Sequence, residues 1–497
     1  MTTRLSATSM PLAGVAMPAY DPESCGAGIV HIGVGAFHKA HQAVYTDTAM
    51  GLAGGDWRIT GVSLRSADVA SALNPQDGRY LLMVRDEAGD SARLIGSIAN
   101  VLVAPAEPDA VIQAVASPET RIVTLTVTEK AYGIDRATGG VDLANDVIAH
   151  DLNNPTTPKG LVGFLIAGLS RRCERDAGPL TILCCDNLPE NGRLVRRIVL
   201  DFAERVEPAL AQWIARTVTF PSSMVDRITP ATTTQTLQDA ERLSGFSDMA
   251  AVETEPFSQW IIEDDFAAGR PEWEAAGALF VEDVAPYEKM KLRLLNGTHS
   301  LLAYAGFLAG HETVGEAVRN EALCAIAERQ MQASAATLPP VPGIDLDAYR
   351  AELLARFANR AIRHLTYQIA MDGTEKLPQR ICAPLGETLA ANGDAGAFAF
   401  AVAAWMRYCL GVTDDGRSYD LRDPRQAAIA ARLDGVPREA GAIFDALSVL
   451  QDVFPTELAG DPRMRGPVVE ALSTMLELGM AEAIRVHARL QTDRTQT

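Results

Sequence analysis

The segment Tyr287-Glu-Lys-Met-Lys291-Leu-Arg-Leu-Leu-Asn296-Gly-Thr-His299-Ser concentrates side chains that move protons and hold oxygen atoms. At about 100° per residue, Glu288, Lys291, His299 and Asn296 fall near ~60°, ~0°, ~80° and ~140° on a helical wheel, so all four fit one side of a helix. A lysine among apolar neighbours releases its proton more readily than one in water, which is what a general base requires. The same residues also fit a solvated helix face with an i,i+3 Glu288–Lys291 pair.

A second cluster lies near the start of the chain. The run Ile29-Val-His-Ile-Gly33-Val-Gly35 reads as a strand entering a glycine turn, followed by a helical pattern over 40–50. Glycines there let the backbone turn tightly and approach a pyrophosphate, as in a dinucleotide fingerprint. His38 stands where a third glycine belongs, so a glycine turn in an unrelated α/β fold is the competing reading. A strand over 57–64 is expected to end near the adenosine ribose, with Asp68 a few residues beyond it. A carboxylate there binds both ribose hydroxyls and repels a 2′-phosphate, which favours NAD over NADP. Arg65 argues the other way, and Asp68 also fits a helix cap after Ser66. Thr128-Glu129-Lys130 and Asp186-Asn187 follow two further strand-like runs, 121–128 and 181–185, placing polar residues at the strand ends where such sheets bind ligands.

The elements around these clusters change character along the chain. Through about residue 285, short β-rich runs alternate with helical patterns such as 161–174, which predicts a mostly parallel sheet covered on both faces. Beyond it, Ala/Leu-rich helical patterns take over: 287–308, 314–335, 347–371, 395–410 and 468–490, with a Pro-rich loop at 338–343. The expectation is an α/β, Rossmann-type domain over residues 1–285 and an all-helical domain over 286–497, with a cleft between them. No internal repeat is evident.

Composition narrows the function classes. Apolar residues make up 47% and charged residues 22% of the 497, a globular balance. The net charge of −19 disfavours nucleic acid and anionic membrane as partners. The longest apolar run, Ala395 to Met406, falls short of the ~20 residues that cross a bilayer. The first twenty residues lack the pattern of an export signal. The seven cysteines are scattered without a CxxC pair, so they read as reduced thiols in a cytoplasmic protein, with neither disulfide frame nor zinc site.

Several motifs, in order, match one family. Gly33-Val-Gly-Ala-Phe-His-Lys-Ala-His-Gln42, Cys185-Asp-Asn-Leu-Pro-Glu-Asn-Gly192, Phe220-Pro-Ser-Ser-Met-Val-Asp-Arg-Ile-Thr-Pro230, Glu255-Pro-Phe-Ser-Gln-Trp260 and Lys291-Leu-Arg-Leu-Leu-Asn-Gly-Thr-His299 together resemble the polyol-specific long-chain dehydrogenases. That group includes mannitol 2-dehydrogenases and fructuronate reductases. The resemblance implies a metal-independent, NAD(P)-linked interconversion of a secondary alcohol and a ketone. It implies Lys291 as general base, Asn187 and Asn296 as donors to the reacting oxygen, and His299 as a holder of substrate hydroxyls. It places Asp226 in the substrate pocket, Glu288 beside the lysine, and Glu129, counted among the cofactor-binding residues, along a proton path to solvent. Gly33, Gly35 and Phe37 belong to the cofactor loop, as do His38 and His41, whose spacing alone would suggest a metal.

The substrate expectation rests on finer features. Thr128-Glu-Lys130-Ala-Tyr132 and the stretch 367–380 resemble the fructuronate reductases, and Gln368 stands where the mannitol enzymes place an arginine. Leu365, Tyr367 and segment 61–68 instead depart from the fructuronate pattern or resemble the mannitol enzymes. A sugar acid requires a cation for its carboxylate, and Lys130, Lys376, Arg380 and Arg363 are candidates. The leading expectation is D-fructuronate reduction to D-mannonate with NADH. The alternatives are a mannitol 2-dehydrogenase and, remotely, a cofactor-binding protein without chemistry. A monomer or small homo-oligomer is expected.

Overall fold

The computed structural model describes residues 2–135 and 138–495. The chain divides into two compact units, Met1–Ala285 and Pro286–Thr497.

The first unit is organised on a six-stranded parallel sheet. Its strands are β1 (Ala27–Ile32), β2 (Arg58–Ser63), β3 (Ile98–Val103), β4 (Ile122–Leu125), β5 (Leu180–Cys184) and β6 (Val218–Thr219). Their spatial order is β3-β2-β1-β4-β5-β6, that of a dinucleotide-binding Rossmann sheet. The central register pairs Ile29 with Ile59 and Ile122, and Ile32 with Val62 and Leu125. These strands read as near-continuous apolar runs because helices cover both faces. The helices are α1 (Ala36–Ala40), α2 (Gln42–Ala53), α3 (Asp68–Leu73), α4 (Pro108–Ala116), α5 (Asp146–Asn153), α6 (Leu161–Glu174), α7 (Asn191–Val206) and α8 (Pro208–Thr217). One core layer joins Val30, Ile32, Val123 and Leu125 to Val111, Val115, Leu165 and Leu169. The opposite layer joins Ile29, Ile59 and Leu183 to Ala43, Met50, Trp260 and Trp273.

Two smaller sheets, both mixed, complete this unit. One contains Val15–Ala16, Tyr80–Val84, Ser91–Ile95 and Val252–Thr254. The other contains β7 (Ser223–Asp226), β8 (Gln259–Glu263) and β9 (Leu279–Val281). The helix α9 (Thr234–Ser244) lies between them in sequence. The helix expected over 40–50 begins earlier, at Ala36, and breaks at His41, whose backbone (φ −123°, ψ −89°) is not helical.

The second unit is helical, and no strand longer than an isolated bridge occurs among its described residues. The expected helix 287–308 is a succession of α10 (Ala285–Lys291), a π-helical turn (Leu292–Asn296) and α11 (Gly297–Leu308). The expected 314–335 divides into α12 (Val314–Arg319) and α13 (Glu321–Ala335), because Asn320 caps the second helix by accepting from Leu323 N–H. The expected 347–371 also divides, into α14 (Leu346–Ala358) and α15 (Thr366–Ile369). Between them Leu365 is extended and bridges to Thr313, which draws the intervening residues away from a helix. There follow α16 (Gly373–Leu377), a second π turn (Pro378–Cys382), α17 (Ala383–Ala390) and α18 (Gly396–Tyr408). The pattern over 468–490 spans two helices, Pro462–Leu478 and Met480–Thr495, separated where Gly479 takes φ 78°. The α18 helix is buried nearly all round, as its run of apolar residues requires.

Candidate active site

The glycine turn after β1 is built by close approach. A Cβ on Gly33, at φ 100°, would lie 2.2 Å from the Thr126 carbonyl oxygen, so only glycine lets β1 end against the segment after β4. Gly35 is open: a Cβ there meets nothing nearer than the Gly33 oxygen at 3.8 Å. Phe37, on α1, stacks its ring on His41 with centroids 5.1 Å apart.

His38 takes a place of its own where the fingerprint has a third glycine. Its buried ring stacks on that of His31, on β1, with centroids 3.4 Å apart. His31 in turn shares hydrogen bonds of 2.8 Å with the Thr124 and Thr126 hydroxyls, and Thr126 donates to the Gly33 carbonyl at 2.9 Å. Burial pushes the His31 imidazole down to about 3, and burial with two neighbouring imidazoles holds His38 well below its usual value. Both rings are therefore neutral packing elements near pH 7. His41 sets Nε2 against the Gln259 carbonyl at 2.9 Å.

The carboxyl ends of the parallel strands carry the other expected residues. Asp68 opens α3, exposed and in its first turn, with Ala67 at the cap position. A carboxylate there complements the helix dipole, and it is not the cap itself. Glu129 and Lys130 are exposed on a 3-10 turn, Glu129–Tyr132, just beyond β4. Asn187 is exposed just beyond β5. Asp226 ends β7 and is buried.

In the helical unit, Lys291 and His299 are buried, while Glu288 and Asn296 are half-buried. The π turn between Lys291 and Gly297 changes the helical-wheel expectation. Gly297 N–H donates to the Leu292 carbonyl, an i→i+5 bond. Five residues then close about one turn, which brings Lys291 and Asn296 nearer in phase than an α-helix would. The turn is anchored on two sides. Arg293 forks onto the Glu387 carboxylate at 2.6 and 2.5 Å and donates to the Thr337 carbonyl at 2.9 Å. Arg380, from the second π turn, donates to the Asn296 carbonyl at 3.5 Å and the Ser300 hydroxyl at 3.3 Å. A Cβ on Gly297 would come within 2.9 Å of the Arg380 carbonyl, so glycine permits the two π turns to touch.

His299 is surrounded by basic groups. Its ring meets that of His364 edge-on at 4.9 Å, and Nε2 is buried without a hydrogen-bond partner. Burial, reinforced by His364, Arg356, Arg380 and Lys376, holds its imidazole well below the ordinary value. Lys376 donates to the Ile369 and Met371 carbonyls at 3.2 and 2.6 Å, and burial with Arg380 nearby lowers its ammonium to about 8. Burial lowers Arg380 to about 10. The structure thus groups Lys376 and Arg380 with His299 in one unit, while Lys130 belongs to the other. Arg363 is exposed and pairs with Glu312 at 2.6 Å.

Among the described residues, no group of three or more His, Cys, Asp or Glu is disposed to hold a metal ion. No helix among them is long and apolar enough to cross a membrane. The seven cysteines are free thiols. Three features escaped the sequence reading: the His31 network, the Arg293 anchor and a buried Asp186–Tyr132 hydrogen bond. Asp186 alone left a signal, as a polar residue at a strand end.

Residues 27–275 match the family described as "Mannitol dehydrogenase Rossmann domain", and residues 283–476 that described as "Mannitol dehydrogenase C-terminal domain". An uncharacterized oxidoreductase of Escherichia coli K12, YeiQ, is 43% identical over 88% of this chain and 90% of its own length. D-mannonate oxidoreductase of the same organism is 44% identical over 83% of this chain and 86% of its own. The structure of Pseudomonas fluorescens mannitol 2-dehydrogenase, a ternary complex with NAD and D-mannitol, matches at TM-score 0.87 and 36% identity, covering 97% of this chain and 99% of that one.

Proposed function

The chain belongs to the mannitol dehydrogenase family of oxidoreductases, and from that premise we propose that it reduces D-fructuronate to D-mannonate with NADH, and catalyses the reverse. Support for the cofactor comes from the glycine turn. Gly33 is required for the close pass of Thr126, and Gly35 leaves a cradle that a side chain would fill. That shape suits a pyrophosphate approached by backbone, with Asp68 for the adenosine ribose and Phe37 and Glu129 as further neighbours of the cofactor. NADH, when bound, supplies the hydride.

The chain's own residues handle the oxygen and its proton. In the direction of reduction, the Lys291 ammonium gives its proton to the carbonyl oxygen as that oxygen gains charge. In oxidation the neutral amine takes the hydroxyl proton back. By the family resemblance the Asn296 and Asn187 amides are donors to the reacting oxygen, and His299, which burial keeps neutral, holds substrate hydroxyls. In this reading Glu288 acts beside the lysine, Asp226 belongs to the substrate pocket, and Glu129 to the proton path.

The observation that carries the acid over the polyol is the set of basic side chains around His299: Arg356, Lys376 and Arg380. Asp372 lies 3.7 Å from the Lys376 ammonium, and a substrate carboxylate is a further anion that such a group can bind, which a neutral polyol lacks. Lys130 supplies a further cation on the rim. The test is NADH oxidation, without added metal, on D-fructuronate and D-fructose side by side. Faster turnover of fructuronate supports the assignment. Equal or faster turnover of fructose moves it to a mannitol 2-dehydrogenase. NADH binding without turnover of any ketose or ketouronate indicates a protein that only binds cofactor.

A further inference from the structure

Two neighbouring loops on the rim of the parallel sheet are joined through one carboxylate. Asp186 lies two residues beyond the end of β5, and its Oδ2 accepts the Tyr132 hydroxyl at 2.6 Å and the Val127 N–H at 3.1 Å. Tyr132 is buried and ends the turn that carries Glu129 and Lys130. The loop bearing Asp186 and Asn187 is itself fixed from the other side. The Asp186 carbonyl accepts from Leu188 N–H at 2.8 Å and from the Asn191 amide at 3.0 Å. Asn191 continues to Ser223 through bonds of 2.8 and 3.0 Å, at the start of β7. Gly133 closes the Tyr132 turn at φ 59°, where a Cβ would strike Ile148 at 2.5 Å. Neither loop is therefore free to slide without disturbing the carboxylate between them.

The chemistry of this contact is unusual for a purely structural one. The groups facing the carboxyl are the Tyr132 hydroxyl, the Val127 N–H and the Cys184 thiol, with the Cys185 thiol close by; none of them is a cation. Burial pushes the Asp186 carboxyl up to about 6, so the fold disfavours the charge it carries near pH 7. An asparagine would accept the same two bonds without that cost. What the contact requires is an acceptor at this position, not the charge.

We propose that Asp186 is a positioning residue: through Tyr132 and Val127 it sets the turn bearing Glu129 against the loop bearing Asn187. The assignment rests on the oxidoreductase reading above, in which both loops serve the reaction. A misplacement of about 1 Å in such a residue costs up to ~100-fold in rate.

The test uses the full chain with Asp186→Ala, Tyr132→Phe, their combination and Asp186→Asn. It reads kcat, KM, NADH affinity, melting temperature and amide exchange over residues 127–133. The alanine and phenylalanine variants should lose about ten- to a hundredfold in kcat, with NADH affinity within about twofold of the parent. The combined variant should be no worse than Asp186→Ala, because the two share one interaction. Exchange over 127–133 should quicken in these three variants. Asp186→Asn should restore the slow exchange and most of kcat, and melt no lower than the parent. Unchanged kcat in folded Asp186→Ala and Tyr132→Phe would overturn the proposal, as would an asparagine variant as poor as alanine. If the parent oxidises no NADH with any ketose, the function itself fails. The loop connection is then judged by exchange alone, and unchanged rates overturn it.

Discussion

Along the rim of the parallel sheet, Asp68, Glu129, Lys130 and Asn187 are exposed on turns and strand ends, whereas in the helical unit Lys291 and His299 are buried along a distorted helix. The first region must admit a large cofactor, so its backbone is shaped and its side chains are left accessible. In the proposed reaction the second handles the proton, and its groups are withdrawn from water on a helix anchored by Arg293 and Arg380. Precision comes from different sources in the two. On the rim it comes from glycine at a close approach and from a hydrogen bond between loops. In the helix it comes from two π turns that touch at Gly297.

Substitutions that attack each region's own device should separate them. The largest effect is expected from Gly33→Ala. The added methyl would lie 2.2 Å from a backbone carbonyl, at a φ of 100° that L-residues avoid. NADH titration should show binding largely abolished, and the melting temperature should fall, with strain of at least about 2 kcal/mol. Next comes Gly297→Val, which drives the π turns apart. It should lower kcat about tenfold or more while NADH affinity, a property of the other unit, stays within about threefold. Arg380→Met should lower kcat on both substrates, since the Asn296 turn loses an anchor, and should raise KM for fructuronate about tenfold more than KM for fructose, because removing one charge-assisted partner of a carboxylate costs roughly 1.5–3 kcal/mol. The smallest effect is expected from Asp68→Ala: NADH affinity should weaken by no more than about fivefold, and NADPH should be discriminated against less, since the carboxylate is exposed and solvent screens it. Strong loss of NADH binding in Gly297→Val would break the separation between the two regions.

How far the sequence could be read follows from the same contrast. Gly33 and Gly35 are recognisable because a backbone requirement selects one residue type, and the apolar strands announce a sheet buried on both faces. The parallel sheet, the helical second half and the family were all evident from residues and their order. The π turns were not, because Leu-Arg-Leu-Leu-Asn reads equally well in an α-helix; what opens the turn is packing against Arg380, a residue distant in sequence. The break after α14 was hidden for a similar reason, since Leu365 leaves the helical path to pair with Thr313. His38 looked like a defect in the glycine fingerprint until its partner, His31, was visible across the β1–α1 turn. Asp186 was noticed as a polar strand end, yet its bond to Tyr132 joins residues from different loops, which no local pattern encodes.

In the proposed reaction the Lys291 side chain transfers the proton in an NADH-linked, metal-independent reduction. The most direct measurement is kcat for chelator-treated Lys291→Ala beside the chelator-treated parent, on the better of fructuronate and fructose, with NADH affinity and melting temperature measured on both. The account predicts an active parent and a variant slower by about 10²- to 10⁴-fold, with cofactor affinity and folding preserved. A variant that turns over at nearly the parent's rate would contradict it.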